Sequence, residues 1–217
     1  MMLKFFMALI LLGFVVLFGL AYWYVPEDAL ITLQWGLDGE VNNTTDKWPG
    51  ILILPLTAVG ISFLLWLLPK IEPRKQHLQD SKKVYYITML GVQILLLIGY
   101  AISILQAMGH DIEFGNNLFI AIGILFIVLG NYLPKVRSNF FLGIRTPWTL
   151  SSEIVWNKTH RIGGYLFMII GAFFIVASLI TSTFISEIII TCAIVLTVIP
   201  VVYSWWIFSQ LEKVKDK

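Results

Sequence analysis

Six stretches of this chain contain no Asp, Glu, Lys or Arg. They run over residues 5–26, 48–69, 84–110, 114–134, 162–186 and 188–211, and hold 22, 22, 27, 21, 25 and 24 residues. The next longest such gap, 29–37, holds nine. Crossing a hydrocarbon core takes about 20 apolar residues in a helix, because no water is there to satisfy a broken backbone hydrogen bond. Every long gap passes that test and no short one approaches it, so six transmembrane helices are expected. Composition agrees. The chain is 58% hydrophobic and 13% charged with a mean hydropathy of +0.84, where soluble domains carry about 25% charged residues. A soluble enzyme, a disordered tail and a fibrous protein are excluded. The expected fold class is an all-α integral membrane protein.

The first apolar run is too long for the hydrophobic part of a cleaved signal peptide, since it continues through Tyr22-Trp23-Tyr24-Val25. An aromatic triplet at the end of a span reads as an interfacial anchor. A single cysteine, Cys192, excludes a disulfide framework and a cysteine-based zinc site, and its mid-span position predicts a buried, inert thiol. The net charge of +2 gives no argument for nucleic-acid binding.

Orientation follows from the basic residues. With the N-terminus inside, 14 of the 15 Lys and Arg fall on inner segments and Lys47 alone falls outside. Inner segments then net +9 and outer segments −7, which recovers the total of +2. The positive-inside rule places both termini in the cytoplasm. The architecture is three helical hairpins. The outer loop 26–48 is long and acidic, the inner loop 70–83 short and basic, and the turns at 109–116 and around Thr181-Ser182-Thr183 are tight. The inner segment 134–163 is the main feature outside the membrane. The expected division is 1–70, a helical hairpin with an acidic outer-loop module, and 71–217, a four-helix membrane region. Leu68-Pro69-Lys70 and Leu133-Pro134-Lys135 echo one another at the inner ends of two helices, where proline stops the helix and lysine anchors it.

The spans lack the groups that drive coupled transport, because no ionisable Asp, Glu, Lys or Arg lies inside them. Gln93 and Asn131 are expected to make hydrogen bonds between helices. His77, His110 and His160 lie in three different loops, and neither HExxH nor GxSxG occurs. Nothing nominates a catalytic, metal or cofactor site. A small transporter or lipid-handling protein is the alternative reading, disfavoured by the uncharged spans.

The inner segment concentrates the informative residues. Phe140, Phe141, Trp148 and Trp156 are too apolar for a freely solvated loop, so they pack on the membrane, the bundle or a partner. Pro147 favours extended geometry at Thr146. Thr149 or Ser151 is expected to cap a short helix with Glu153 in its first turn, and Gly163-Gly164 to break that helix before the fifth span.

The run Asn131-Tyr132-Leu133-Pro134-Lys135, then Gly143-Ile144-Arg145-Thr146-Pro147-Trp148-Thr149-Leu150-Ser151-Ser152-Glu153, then Trp156, Thr159, His160 and Arg161, closely resembles the SdpI family of bacterial membrane immunity proteins. Pro26 and Gln34-Trp35-Gly36-Leu37-Asp38-Gly39 resemble, in part, an outer-loop module of unknown function found in relatives, with Leu30-Ile31 in place of its proline step. The resemblance implies a six-helix protein of the bacterial plasma membrane that binds and neutralises a secreted, membrane-active peptide toxin. It also implies a second role, holding a cytoplasmic winged-helix repressor at the membrane. It implies no enzyme activity, no cofactor, and partners limited to membrane lipid, the toxin and that transcriptional repressor. The candidate partner-binding residues are Arg145, Thr146, Pro147, Trp148, Ser151, Glu153, Trp156, His160 and Arg161. The outer-loop candidates are Pro26, Trp35, Gly36, Asp38 and Gly39.

Overall fold

The computed structural model describes residues 2–36, 40–112, 114–180 and 183–215. Among the described residues, six helices are long and apolar enough to cross a membrane: Phe5–Tyr24, Lys47–Ile71, Lys82–Ala107, Leu118–Lys135, Glu153–Ser178 and Glu187–Val214. Each overlaps one of the six uncharged gaps. In chain order the elements are α1 (Met2–Tyr24), β1 (Leu30–Trp35), β2 (Val41–Asp46), α2 (Lys47–Ile71), α3 (Lys75–Asp80), α4 (Lys82–Ala107) and α5 (Phe114–Tyr132). A 3-10 turn (Leu133–Lys135) follows, then α6 (Pro147–Ser151), α7 (Glu153–Ser178), α8 (Thr183–Leu196) and α9 (Ile199–Lys215).

Two features depart from a plain set of helices. The outer loop, read from sequence only as an acidic module, holds an antiparallel hairpin in which Leu30 faces Asp46 and Trp35 faces Val41. Its β-branched and aromatic residues suit a pleated surface. The sixth span is interrupted at Thr197 and Val198. Pro200 has no amide to give the carbonyl of Leu196, and its ring crowds that carbonyl.

The chain forms two compact units, Met1–Leu65 with Met89–Ala121, and Trp66–Thr88 with Ile122–Lys217. In the first unit one face of α4 carries Gln93, Tyr100 and Ser103, each of which reaches another element. Gln93 donates from Nε2 to the Ala58 carbonyl at 3.1 Å and to Ser62 Oγ at 2.9 Å, the expected interhelical bond. The Tyr100 hydroxyl donates to the Ile51 carbonyl at 2.9 Å. That carbonyl needs an outside donor because the residue four positions on is Pro55, which has no N–H. Tyr100 also stacks on Phe14 of α1, ring centroids 5.8 Å apart. Ser103 donates to the Thr32 carbonyl at 2.9 Å and so ties β1 to α4.

In the second unit α5 and α7 approach until their backbones meet. A Cβ added to Gly130 would stand 2.6 Å from the Gly164 carbonyl oxygen, and one added to Gly164 would stand 2.7 Å from that of Gly130. Gly163 and Gly164 therefore do not break the helix as expected, and α7 is continuous from Glu153 to Ser178. The roughly 1 kcal/mol that a helical glycine costs is offset by close packing that any side chain would prevent. Asn131, next to Gly130, points away from that contact and is exposed, in contrast to the expected interhelical bond. Cys192 is exposed on α8 and not buried, because a helix bathed in hydrocarbon has no need to hide a weakly polar thiol.

Candidate functional site

The loops 70–83 and 134–163 both belong to the second unit and fold into one polar cap. The chain enters it through the 3-10 turn at Leu133–Lys135, where Pro134 ends the helical pattern. Lys135 and Lys83 both lie against the Tyr132 ring, 4.6 and 5.3 Å from its centroid.

From Val136 onward many of the backbone polar groups are held by named side chains, which is how an irregular segment becomes rigid. Trp156 Nε1 donates to the Val136 carbonyl at 2.7 Å. The Arg137 amide donates to Ser81 Oγ at 2.8 Å. Ser138 accepts from Arg74 Nη1 at its hydroxyl and from His77 Nδ1 at its carbonyl, the latter at 2.8 Å. Asn139 is fully buried and closes the turn on itself. Its Oδ1 accepts from the amides of Phe141 and Leu142, and its Nδ2 donates to the carbonyls of Arg137 and Leu142.

A buried acid and a half-buried base clamp the two loops. Glu72 is 0% exposed, and its carboxylate accepts from the Arg74 amide at 2.9 Å and the Phe140 amide at 3.1 Å. The Arg74 guanidinium donates to the Leu150 carbonyl at 3.1 Å and lies 5.0 Å from the centre of the Phe140 ring. Among the described residues Glu72 and Arg74 form no direct ion pair; each spends its charge on the 138–150 segment.

Further along, Gly143 has φ +107°, a conformation open to glycine, and a side chain there would meet the ring of His160. The next residue explains the closeness. The Ile144 amide donates to His160 Nε2 at 3.0 Å, while His160 Nδ1 lies 2.8 Å from the Trp156 carbonyl. An amide can only donate and a carbonyl can only accept, so the imidazole is neutral with its proton on Nδ1. The Trp156 and His160 rings stack with centroids 3.9 Å apart. Both are buried.

The helices α6 and α7 are capped by residues other than those expected. Thr146, not Thr149 or Ser151, caps α6, in a reciprocal arrangement with Thr149. Ser152 caps α7, and Glu153 does lie in the first turn, where the helix dipole favours an acid. The Thr146 hydroxyl also pairs with Ser204 of α9 at 2.9 Å, so the last helix supports the same cap.

The structure divides the inner candidates into two groups. Thr146, Trp156 and His160 are buried and hold the cap together. Arg145, Pro147, Ser151, Glu153 and Arg161 are exposed, and Trp148 is half-buried. Arg145 is the bridge between the groups, donating to the Phe140 carbonyl at 2.5 Å from an exposed position. Glu72, Arg74, His77, Ser81 and Asn139 belong to the cap and were missed from sequence. The signal available was an acid, Glu72, set between Ile71 and Pro73 in a net basic loop that also holds Asp80.

Of the outer candidates, Pro26 follows the end of α1 and is exposed. Trp35 ends β1, and the Gly36 amide donates to the Glu40 carbonyl at 2.8 Å to close the hairpin. Asp38 and Gly39 lie outside the described residues. At the hairpin's base Lys47 is 2% exposed and pairs with Glu27 at 2.8 Å. That hydrogen bond lowers the Glu27 carboxyl below its ordinary range. Among the described residues no three His, Cys, Asp or Glu side chains gather to hold a metal ion.

Residues 135–204, which contain the larger part of this cap, match the model of the SdpI/YfhL protein family. The chain is 26% identical over 193 residues to the immunity protein SdpI of Bacillus subtilis (strain 168), covering 88% of each chain. No solved structure matches it. With its six spanning helices, the chain is a multi-pass bacterial membrane protein.

Proposed function

We propose that this chain, whose residues 135–204 match the model of the SdpI/YfhL protein family, is a plasma-membrane immunity protein that works by binding. Its outer face engages a secreted, membrane-active peptide, and its inner cap presents a surface to a cytoplasmic transcriptional repressor. Both termini lie inside, by the +9 and −7 division of charge.

The observation that carries the reading is the sorting of the inner cap. Arg145, Glu153 and Arg161 are exposed and Trp148 half-buried on a segment whose backbone is fixed by buried partners. Aromatic and Arg side chains on a pre-ordered frame are what a binding surface needs, because little further ordering has to be supplied on contact. An exposed charge at such a position adds under about 1 kcal/mol to stability, too little to explain it as scaffolding.

The test is stoichiometric. A sensitive strain expresses the protein at graded levels and is challenged with the secreted peptide, while survival and intact peptide in the medium are followed. A binding protein protects in proportion to its copies and leaves the peptide intact. Rapid loss of peptide at low expression would instead indicate catalytic destruction.

A further inference from the structure

We propose that the free edge of β2 is a docking site for an extended, cationic segment of the secreted peptide, which joins the hairpin as a third strand. The identity of the occupant rests on the toxin-binding reading above; the edge itself rests on the following geometry.

The two strands of this hairpin are held very differently. β1 is anchored: Ile31 and Thr32 are buried, and Thr32 takes the hydroxyl of Ser103 at its carbonyl. Gly50 of α2 comes so close to Ile31 that an added Cβ would stand 2.6 Å from its Cγ1. β2 is not anchored. Apart from half-buried Thr45, every residue of Val41–Asp46 is exposed, and among the described residues the sheet has two strands. One edge of β2 faces β1, so the opposite edge presents amides and carbonyls in a row. A two-stranded sheet is marginal in water, and a third strand is the ordinary way to complete it. Strand addition recognises a peptide by its backbone and tolerates varied side chains.

Proteins usually blunt such an edge with lysine, proline or a bulge on the exposed strand. The sequence Val41-Asn42-Asn43-Thr44-Thr45-Asp46 contains neither lysine nor proline; the register slips once on each strand, with Leu33 the extra residue on β1 and Asn42 on β2, which leaves Asn43–Asp46 as the regular part of the edge. What guards the edge is charge. The segment 26–48 contains Glu27, Asp28, Asp38, Glu40 and Asp46 against Lys47 alone, a net −4. Lys47 is buried against Glu27 and offers nothing to a partner. Two copies of this edge would repel each other, whereas a cationic strand is attracted. The same charges that prevent self-pairing therefore select the partner.

The test uses the full chain in nanodiscs of zwitterionic lipid and two synthetic probes, an alternating Lys-Val peptide and an alternating Glu-Val peptide. Amide hydrogen exchange is followed across 30–46. The Lys-Val peptide should slow exchange within 41–46 by about tenfold, the effect of a net backbone hydrogen bond. The Glu-Val peptide should leave it unchanged. Asn42→Lys with Thr44→Lys should abolish the protection, and Asn42→Glu should increase it, with exchange of the β1 amides in the absence of peptide reporting an intact hairpin. Unchanged exchange at 41–46 with the Lys-Val peptide would overturn the proposal. So would equal protection by both peptides, or protection that rises with protein concentration alone and marks a second copy. In cells, a wild-type protein that fails to protect refutes the toxin reading, and the exchange result still decides the edge. Wild-type protection matched by the double lysine variant refutes the edge and spares the toxin reading.

Discussion

His160→Phe is the substitution that separates holding the inner cap from using it. Phenylalanine keeps a ring to stack on Trp156, now 3.9 Å away, but removes the acceptor that the Ile144 amide reaches at 3.0 Å. A ring C–H stands where Nε2 was, so the loop has to retreat by a few tenths of an ångström. Leaving a buried donor without a partner costs about 1–3 kcal/mol, and Ile144 is half-buried, which points to the lower end. At about 1.4 kcal/mol the released form of the loop gains roughly tenfold in population. The Trp156 carbonyl keeps the helical amide of residue 160, so α7 itself loses little. Hydrogen exchange should therefore quicken about tenfold at Ile144 and its neighbours, while amides deep in α4 and α7 keep their rates. Protection of cells should fall at unchanged membrane abundance. Unaltered exchange at Ile144 would refute the latch, and acceleration spread equally over the spans would make His160 a general stability residue.

The exposed group should behave oppositely: Arg145→Ala, Trp148→Ala, Glu153→Ala and Arg161→Ala leave abundance and loop exchange near wild type but reduce protection or repressor recruitment. Arg145→Lys restores this only in part, since lysine lacks the planar fork, and a parallel fall in abundance and protection would reduce the face to an anchor. Tyr100→Phe should destabilise by about 1 kcal/mol, and much less in a Pro55→Ala background, where an alanine amide again satisfies the Ile51 carbonyl; a double-mutant cycle by detergent-driven unfolding measures this, and equal costs in both backgrounds would contradict it. Glu27 has a carboxyl lowered by its bond to Lys47, so its contribution is present above the ordinary glutamate range and is lost as pH falls through the folded value. Acidification should then loosen the hairpin base, read by exchange over 41–46, and Lys47→Met should flatten that dependence.

The spans were legible because burying an unpaired charge in hydrocarbon is so costly that its absence over 20 or more residues is nearly decisive. No comparable rule announces a hairpin in a 23-residue outer loop. Its register depends on Ile31 finding Gly50 and on Thr32 finding Ser103, which are contacts between residues far apart in sequence. The cap of α6 was in principle readable. Proline favours the first helical position, so Pro147 marks Thr146 as the capping residue and disfavours Thr149 or Ser151. The break in the sixth span was also signalled, by Pro200. The clamp of Glu72 and Arg74 onto the 138–150 segment was not. Short basic loops carry acids for many reasons, and only the fold reveals that Glu72 is dry and bonded to two amides.

The recognisable block 143–161 mixes two kinds of residue, and helical spacing separates them once α7 is known to begin at Glu153. Trp156, Thr159, His160 and Gly163 recur at intervals of three, one and three, and all four are buried on one face. Asn157, Lys158 and Arg161 lie away from that face and are exposed, while Glu153 flanks it and is exposed in the first turn. A family resemblance that lists both sets together therefore overstates the number of contact residues available to a partner. The buried set determines where the exposed set stands: Trp156 fixes Val136, His160 fixes Ile144, and Ile144 leads directly into Arg145. Loss of protection on mutating Trp156 or His160 is thus expected from displacement of Arg145 and Trp148, with no contact to any partner. Only a variant that leaves the exchange of Ile144 untouched can identify a residue that touches one.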